Sequence, residues 1–97
     1  MTRIGILGAS GRMGRAMADL LHNSPEARLG GRLGRGEDPA ALAAHCDVLV
    51  DFSAPDALAT HLDAAASAGI GIVVGTTGLT ADHHEAIDRT ARKVAVL

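Results

Sequence analysis

The sequence predicts an α/β fold in which an open parallel sheet of about five strands has helices on both faces. Short β-branched runs, too uniformly apolar for surface helices, alternate along the chain with segments of helical periodicity. Such alternation favours parallel strands joined by right-handed crossovers. The 97 residues include 12 glycines and one aromatic residue, Phe52, which favours thin, closely packed layers in a single domain spanning 1–97.

Five segments have the composition of strands, and helical patterns lie between them. The strands are expected at 3–7, 27–33, 47–50, 70–74 and 94–97. The first helix begins at Arg12 and ends before Ser24-Pro25, because proline disfavours a helical residue before it. Its buried stripe is expected to consist of Met13, Met17, Leu20 and Leu21.

The remaining helices are placed by their end signals. A short helix spans about 39–45, and a longer one starts near Pro55, which suits a first helical turn, and ends at Gly69. The buried face of the longer helix is expected to hold Leu58, Leu62, Ala65 and Ala66. The last helix follows Thr80 as its N-cap and turns Ile87 and Ala91 inward.

Charge and composition disfavour several classes of function. A net charge of −2 and a pI near 6.2 argue against a duplex-DNA binder, and one aromatic residue argues against a base-stacking platform. A lone cysteine, Cys46, allows neither an internal disulfide nor a zinc cage and fits a small buried hydrophobe. Because no apolar stretch suits a membrane span or a secretory leader, we expect a cytoplasmic chain without membrane or nucleic-acid partners.

The sharpest local signal is the glycine-rich turn GASGRMG, from Gly8 to Gly14, between the first strand and the first helix. Its GxxGxxG spacing is a variant of the GxGxxG dinucleotide fingerprint. Glycine permits positive φ and the close approach of a phosphate, and the following helix N-terminus favours an anion. A tight strand-to-helix turn without a ligand is the alternative interpretation. The chain contains no GxxxxGKS or GxxxxGKT, which disfavours a nucleoside triphosphatase.

The end of the second strand bears on the choice of cofactor. Domains that bind NAD usually place an acid about 20 residues after the glycines, where it binds the ribose hydroxyls. In this chain Gly34 stands at that distance from Gly14, and Arg35 follows it. We therefore predict a preference for NADP(H), with the Arg35 guanidinium paired to the 2′-phosphate. A solvated surface arginine is the alternative.

Two further loops are expected at the same edge of the sheet, because ligands bind outside the carboxyl ends of parallel strands. The strand at 47–50 continues into Asp51, Phe52 and Ser53, and the strand at 70–74 continues into Gly75-Thr76-Thr77-Gly78. With the Gly8 turn, these small-residue loops predict a groove. Asp51 is expected to cap backbone N–H groups rather than to act on a ligand.

The motifs GAxGRMG, DFSxP and VVGTTG, in this order, resemble the 4-hydroxy-tetrahydrodipicolinate reductase (dihydrodipicolinate reductase) family of lysine and diaminopimelate biosynthesis, in its N-terminal nucleotide-binding domain. The resemblance implies an oxidoreductase that transfers a hydride from NADPH, with NADH also possible. It implies pyrophosphate contacts from Gly8, Ala9, Ser10, Gly11, Arg12 and Met13, and an adenosine ribose phosphate contact from Arg35. It also implies a nicotinamide ribose wall from Phe52 and Ser53, and nicotinamide and substrate contacts from Gly75, Thr76 and Thr77.

The family has its proton donor and its dicarboxylate-binding residues in a C-terminal domain that would follow Leu97. The resemblance therefore implies that these 97 residues bind the cofactor without turnover and hold no catalytic residue or metal, and that the full enzyme forms a homo-oligomer through the other domain. The stretch 36–46 is shorter than in typical members. His83-His84 do not replace the family's His-His pair, because they lie on the helix after GTTG and no lysine follows four residues on. Neighbours on a helix also point about 100° apart, so the two cannot chelate together.

His22, His45 and His61 are expected to be ordinary helix positions, without a partner at metal-ligand spacing. Two alternative functions remain beside the reductase interpretation. The whole chain could instead be a regulatory module that binds NAD(P) or coenzyme A without catalysis. It could also be the cofactor domain of another enzyme, of the aspartate or homoserine dehydrogenase type.

Overall fold

The computed structural model describes residues 2–8, 11–33 and 38–97. Within these ranges strands and helices alternate, which confirms the predicted α/β class. The strands are β1 (Thr2–Leu7), β2 (Ala27–Leu33), β3 (Val48–Asp51) and β4 (Gly71–Val74). The helices are α1 (Arg12–His22), α2 (Pro39–Ala43), α3 (Leu58–Ala68) and α4 (Ala81–Ala91), and a 3-10 turn at Pro55–Ala57 leads into α3.

The sheet is parallel throughout, with the strand order β2-β1-β3-β4. From β1 the chain moves outward through α1 to β2 and then crosses back past β1 to form β3 on its other side. The connections on either side of β1 therefore run in opposite directions. In sheets of this kind, such a switch point opens a crevice at the carboxyl ends of the strands.

The described part of the sheet has four strands rather than about five. The segment predicted as a fifth strand lies beside β4, where Val96 forms one parallel bridge with Ile72. The N–H of Ile72 donates to the carbonyl of Ala95 at 3.0 Å, and the N–H of Val74 donates to the carbonyl of Leu97 at 2.8 Å. The pairing expected of a fifth strand thus begins at the outer edge of β4.

Each face of the sheet has its own core. Alternation of side chains along β1 sends Ile6 to the face covered by α1 and Leu7 to the opposite face. The smaller cluster joins Ile6 to Ala18 and Leu21 of α1. The larger cluster, beneath α2 and α3, includes Leu7, Leu42, Cys46, Leu49, Leu58, Leu62 and Ile72. Cys46 is therefore the buried hydrophobe that the sequence predicts, and burial raises the pKa of its thiol.

Helix α1 is rotated relative to the predicted stripe. Its buried residues are Gly14, Ala18 and Leu21, whereas Met13 is 57% exposed and Leu20 is 70% exposed. The prediction that Met13 and Leu20 belong to the core is therefore wrong. Small residues at Gly14 and Ala18 let the helix lie close to β1 and β2, and this close contact decides which side of α1 is covered.

Helix α3 confirms its predicted buried face, where Leu58, Leu62 and Ala65 are buried, whereas α4 matches its predicted start better than its predicted face. Helix α3 ends at Gly69, whose φ of +70° is the left-handed conformation expected after a helix. Helix α4 follows Thr80, which is its N-cap. Ala91 of α4 is exposed, contrary to prediction, and Thr90 is buried in its place, with its hydroxyl donating to the carbonyl of Ala86 at 2.9 Å.

Candidate functional site

The turn after β1 passes directly against the loop after β3. Gly8 has a φ of +78°. A Cβ built on it would lie 2.7 Å from the carbonyl carbon and oxygen of Phe52 and 2.8 Å from the backbone nitrogen of Ser53. The N–H of Gly11 donates to the carbonyl of Gly8 at 3.1 Å and closes the turn. Glycine is needed at position 8 both for its backbone conformation and for the contact with the neighbouring loop.

The N-terminus of α1 opens at this turn. The helix starts at Arg12 after the extended N-cap Gly11, and among the described residues no side chain caps it and no acid lies in its first turn. Its first N–H groups and the positive end of its dipole are therefore suited to an anion. Arg12 and Met13 are exposed beside it. The other predicted contacts of this region, Ala9, Ser10 and Arg35, lie outside the described residues.

The loops after β3 and β4 are in contact through Phe52 and Gly75. A Cβ on Gly75 would lie 2.5 Å from Cε1 and 2.6 Å from Cδ1 of the Phe52 ring. The N–H of Gly75 donates to the carbonyl of Asp51 at 2.8 Å, and the N–H of Phe52 donates to the carbonyl of Leu7 at 2.9 Å. The structure thus brings the three predicted loops together at the carboxyl edge of the sheet.

The two threonines after Gly75 differ in their accessibility. Thr76 is buried, and its hydroxyl donates to the carbonyl of Asp51 at 3.4 Å. Thr77 is exposed. The side chain of Thr76 therefore supports the loop from within, and Thr77 presents its side chain at the surface.

Behind these loops lies a buried polar cluster of Asp51, Ser53 and His61. Asp51 is 0% exposed and His61 is 7% exposed. Oδ1 of Asp51 accepts the backbone N–H of Ser53 at 2.8 Å, and Oδ2 lies 2.9 Å from Nδ1 of His61. The structural role expected of Asp51 is thereby confirmed for the N–H of Ser53, and the contact with His61 adds a second partner.

The environment of Asp51 keeps its carboxyl group ionised. Burial raises the pKa of Asp51, but the hydrogen bonds from His61 and from the side chain and backbone of Ser53 outweigh this effect. The pKa of Asp51 is therefore lower than the ordinary value of an aspartate.

Sequence reasoning missed the partner of His61. The expected helical position is correct, because His61 lies in α3. Its spacing from Leu58, Leu62 and Ala65 places it on the predicted buried face, and a histidine there signals a polar partner within the core. The partner, Asp51, could not be chosen from spacing alone, since ten residues and a change of element separate the two.

A family model described as dihydrodipicolinate reductase, N-terminus, matches residues 2–97. The chain belongs to the dihydrodipicolinate reductase family. This membership confirms the resemblance shown by the glycine-rich turn, the DFSxP turn and VVGTTG, and favours it over the regulatory module and the other dehydrogenases.

Curated members of the dihydrodipicolinate reductase family are longer than this chain. The chain is 38% identical over 120 residues to the 4-hydroxy-tetrahydrodipicolinate reductase of Chromohalobacter salexigens, in a match that covers 100% of the chain and 45% of that protein. It is 38% identical over 101 residues to the enzyme of the same name from Zymomonas mobilis, covering 98% of the chain and 40% of that protein. The chain therefore spans less than half the length of these relatives.

A solved member of the dihydrodipicolinate reductase family has the same fold. The dipicolinate-bound enzyme from Paenisporosarcina sp. TG-14 matches 99% of this chain and 46% of its own, with a TM-score of 0.76 and 17% identity. A UDP-N-acetylglucosamine 3-dehydrogenase from Acidithiobacillus ferrooxidans gives the same TM-score of 0.76 at 18% identity, over 98% of this chain and 37% of its own. At these identities the likeness shows a shared fold alone.

Neither a membrane-spanning helix nor a metal-binding cluster of side chains occurs in the described ranges. None of the helices there is both long and apolar enough to cross a bilayer. No group of three or more His, Cys, Asp or Glu side chains in the same ranges is arranged to hold a metal ion.

Proposed function

We propose that this chain binds NADPH along the carboxyl edge of β1, β3 and β4, as the cofactor-binding part of a 4-hydroxy-tetrahydrodipicolinate reductase. The observation on which the proposal rests is the junction of Gly8, Phe52 and Gly75, where three loops meet next to the open N-terminus of α1. Glycine at two of these positions lets the backbone of both loops approach Phe52 closely. A dinucleotide with its phosphates at a helix N-terminus fits this arrangement.

The proposed contacts follow the order of the loops. Backbone groups of 8–13 would bind the pyrophosphate, and Phe52 and Ser53 would border the nicotinamide ribose. Gly75, Thr76 and Thr77 would lie beside the nicotinamide, with Thr76 contributing backbone groups because its hydroxyl is already used. When bound, the nicotinamide supplies the hydride, whereas the residues of this chain bind and orient it.

The full protein would reduce a small cyclic dicarboxylate. In this proposal the proton donor and the dicarboxylate site lie in the part of the relatives that this chain does not match. The expected homo-oligomer and cytoplasmic location are likewise proposed for the full protein. We expect the 97-residue chain to bind NADPH but not to oxidise it when substrate is added. The absorbance of NADPH measures this directly, and steady oxidation by the purified chain would contradict the proposed division of roles.

Cofactor binding is tested by titration of the chain with NADPH and NADH. The chain has no Trp and no Tyr, so the fluorescence of the reduced nucleotide can be followed without interference from the protein. We expect tighter binding of NADPH, because a guanidinium paired to a phosphate contributes about 10- to 100-fold in affinity. Failure of both nucleotides to bind would refute the proposed function, whereas equal dissociation constants would refute only the preference for NADPH.

The proposed role of Arg35 has a matched control. Arg35→Ala should weaken NADPH binding by about 10- to 100-fold and leave NADH binding nearly unchanged. Arg28→Ala removes the same charge from the amino-terminal end of β2, where the exposed Arg28 pairs in register with Arg3. We expect Arg28→Ala to change NADPH affinity less than twofold, and equal effects of the two variants would show that only overall charge matters.

A further inference from the structure

The buried cluster behind the loop after β3 has a defined direction of hydrogen bonding. Besides the backbone N–H of Ser53, Oδ1 of Asp51 accepts the hydroxyl of Ser53 at 2.5 Å. Nδ1 of His61 lies 2.9 Å from Oδ2 of Asp51 and 3.2 Å from Oγ of Ser53. Thus both oxygens of the carboxyl group are occupied by groups from two different elements, the loop after β3 and helix α3.

The positions of the hydrogens follow from the chemistry of these groups. An ionised carboxylate can only accept hydrogen bonds, so the single hydroxyl hydrogen of Ser53 points to Asp51. For the same reason Nδ1 of His61 bears a hydrogen and donates it to Oδ2. Because Ser53 gives its own hydrogen to Asp51, its Oγ can only accept, and it shares the single Nδ1 hydrogen of His61 as the longer, 3.2 Å branch of a three-centre hydrogen bond whose shorter branch goes to Oδ2 of Asp51.

This arrangement determines what Ser53 can offer to a ligand. A hydroxyl oxygen has two lone pairs, and His61 uses one of them. Ser53 is half-buried at the junction with Gly8, whose built Cβ would lie 2.8 Å from the Ser53 nitrogen. The Ser53 hydroxyl can therefore offer a ligand only an acceptor lone pair, because its one hydrogen is directed to Asp51. The negative charge of Asp51 behind it opposes an anionic oxygen.

We propose that Asp51 and His61 are positioning residues that hold the Ser53 hydroxyl as a hydrogen-bond acceptor, so that this point of the groove selects a hydroxyl or amide donor of the ligand and rejects a phosphate. This inference rests on the proposed function. On NADPH, the matching donors are the ribose hydroxyls and the carboxamide of the nicotinamide half. The phosphates are then left to the N-terminus of α1.

Two probes separate this role from a merely structural one. NADPH contains the nicotinamide riboside, whereas 2′-phospho-ADP keeps the adenosine and phosphate groups and lacks it. Ser53→Ala and His61→Leu should each raise the dissociation constant of NADPH by about three- to tenfold, the usual effect of one hydrogen bond. Both variants should change the dissociation constant of 2′-phospho-ADP less than twofold. A loss of folding would weaken both probes equally.

A conservative replacement at position 61 completes the test. His61→Asn keeps an amide N–H near the place of Nδ1, so it should restore NADPH binding to within about twofold of the original chain. If His61→Leu does not fold, Ser53→Ala and His61→Asn decide the matter with the same probes. Equal weakening of both probes by a Ser53→Ala chain that is still folded, or no weakening of either, overturns the inference but not the proposed function. If the original, unsubstituted chain binds neither probe, the proposed function itself is refuted.

Discussion

The phenyl ring of Phe52 occupies the space that a side chain on Gly75 would need. A Cβ on Gly75 would lie 2.5 Å from Cε1 of this ring and 3.3 Å from the carbonyl oxygen of Asp51. Phe52, the one aromatic residue of the chain, is thus held between the ends of β3 and β4. Its position depends on a glycine, Gly75, at the end of β4.

Replacement of Gly75 should therefore act through Phe52. We expect Gly75→Ala to lower the free energy of unfolding by about 1–3 kcal/mol, because overpacking forces the ring or the loop to move. In a Phe52→Leu background the same replacement should cost less, since the smaller side chain leaves room. Urea denaturation of the original chain, the two single variants and the double variant measures this coupling. Additive losses of stability would show that the ring does not oppose the new methyl group.

Gly8 and Gly69 allow backbone strain to be separated from steric contact. Their φ angles are +78° and +70°, but a Cβ on Gly69 would meet nothing within 4 Å. We expect Gly69→Ala to cost about 1–2 kcal/mol from its backbone conformation alone. Gly8→Ala should cost about 3 kcal/mol or more, because contact with the Phe52 backbone adds to the same strain. Similar losses of stability in the two variants would mean that the loop after β3 moves away freely.

Adjacent leucines of α1 test which side of the helix is covered. Leu21 is 8% exposed and Leu20 is 70% exposed. Leu21→Ala should destabilise the chain by about 2–5 kcal/mol, the range for a leucine removed from a core, whereas Leu20→Ala should stay within about 0.5 kcal/mol. Thermal and urea unfolding would measure both. A large loss of stability in Leu20→Ala would instead support the buried face that the sequence predicts for α1.

Acid should weaken the fold through Asp51. Because the pKa of Asp51 is lowered in the folded chain, this group stabilises the fold above the pKa that it has when unfolded. That contribution is lost as the pH falls below about 4 and through the lower folded pKa. Asp51→Asn should therefore be less stable than the original chain at pH 7, and the difference should shrink towards pH 3.

The matched control for this pH dependence is Asp47→Asn. The pKa of Asp47 is also lowered, chiefly by the hydrogen bond from the backbone N–H of Arg3, but Asp47 is exposed at the other end of β3. Its replacement should alter the acid response less, because solvent screens an exposed pair. Denaturation midpoints between pH 3 and pH 7 provide the comparison. A stability difference for Asp51→Asn that stays constant across this range would contradict the role given to its ionised form.

The sequence by itself determined the alternation of strands and helices and the positions of the turns. Those features depend on local patterns: the β-branched runs, the glycine at position 69 and the cap at Thr80 act within a few residues of chain. The three groove-forming loops could also be predicted, because the carboxyl ends of parallel strands share one edge of the sheet. The family motifs lie in the same loops, so the family was accessible from the sequence too.

The tertiary structure alone decided which surfaces meet. Helical periodicity gives the angular spacing of Met13, Leu20 and Leu21 but not the rotation of α1 on the sheet, which depends on how closely Gly14 and Ala18 approach the strands. The pairing of Asp51 with His61 is likewise a contact between separate elements, chosen by the position of α3 over β3. Burial and hydrogen-bond partners are properties of two surfaces in contact, and a local sequence pattern describes only one of them.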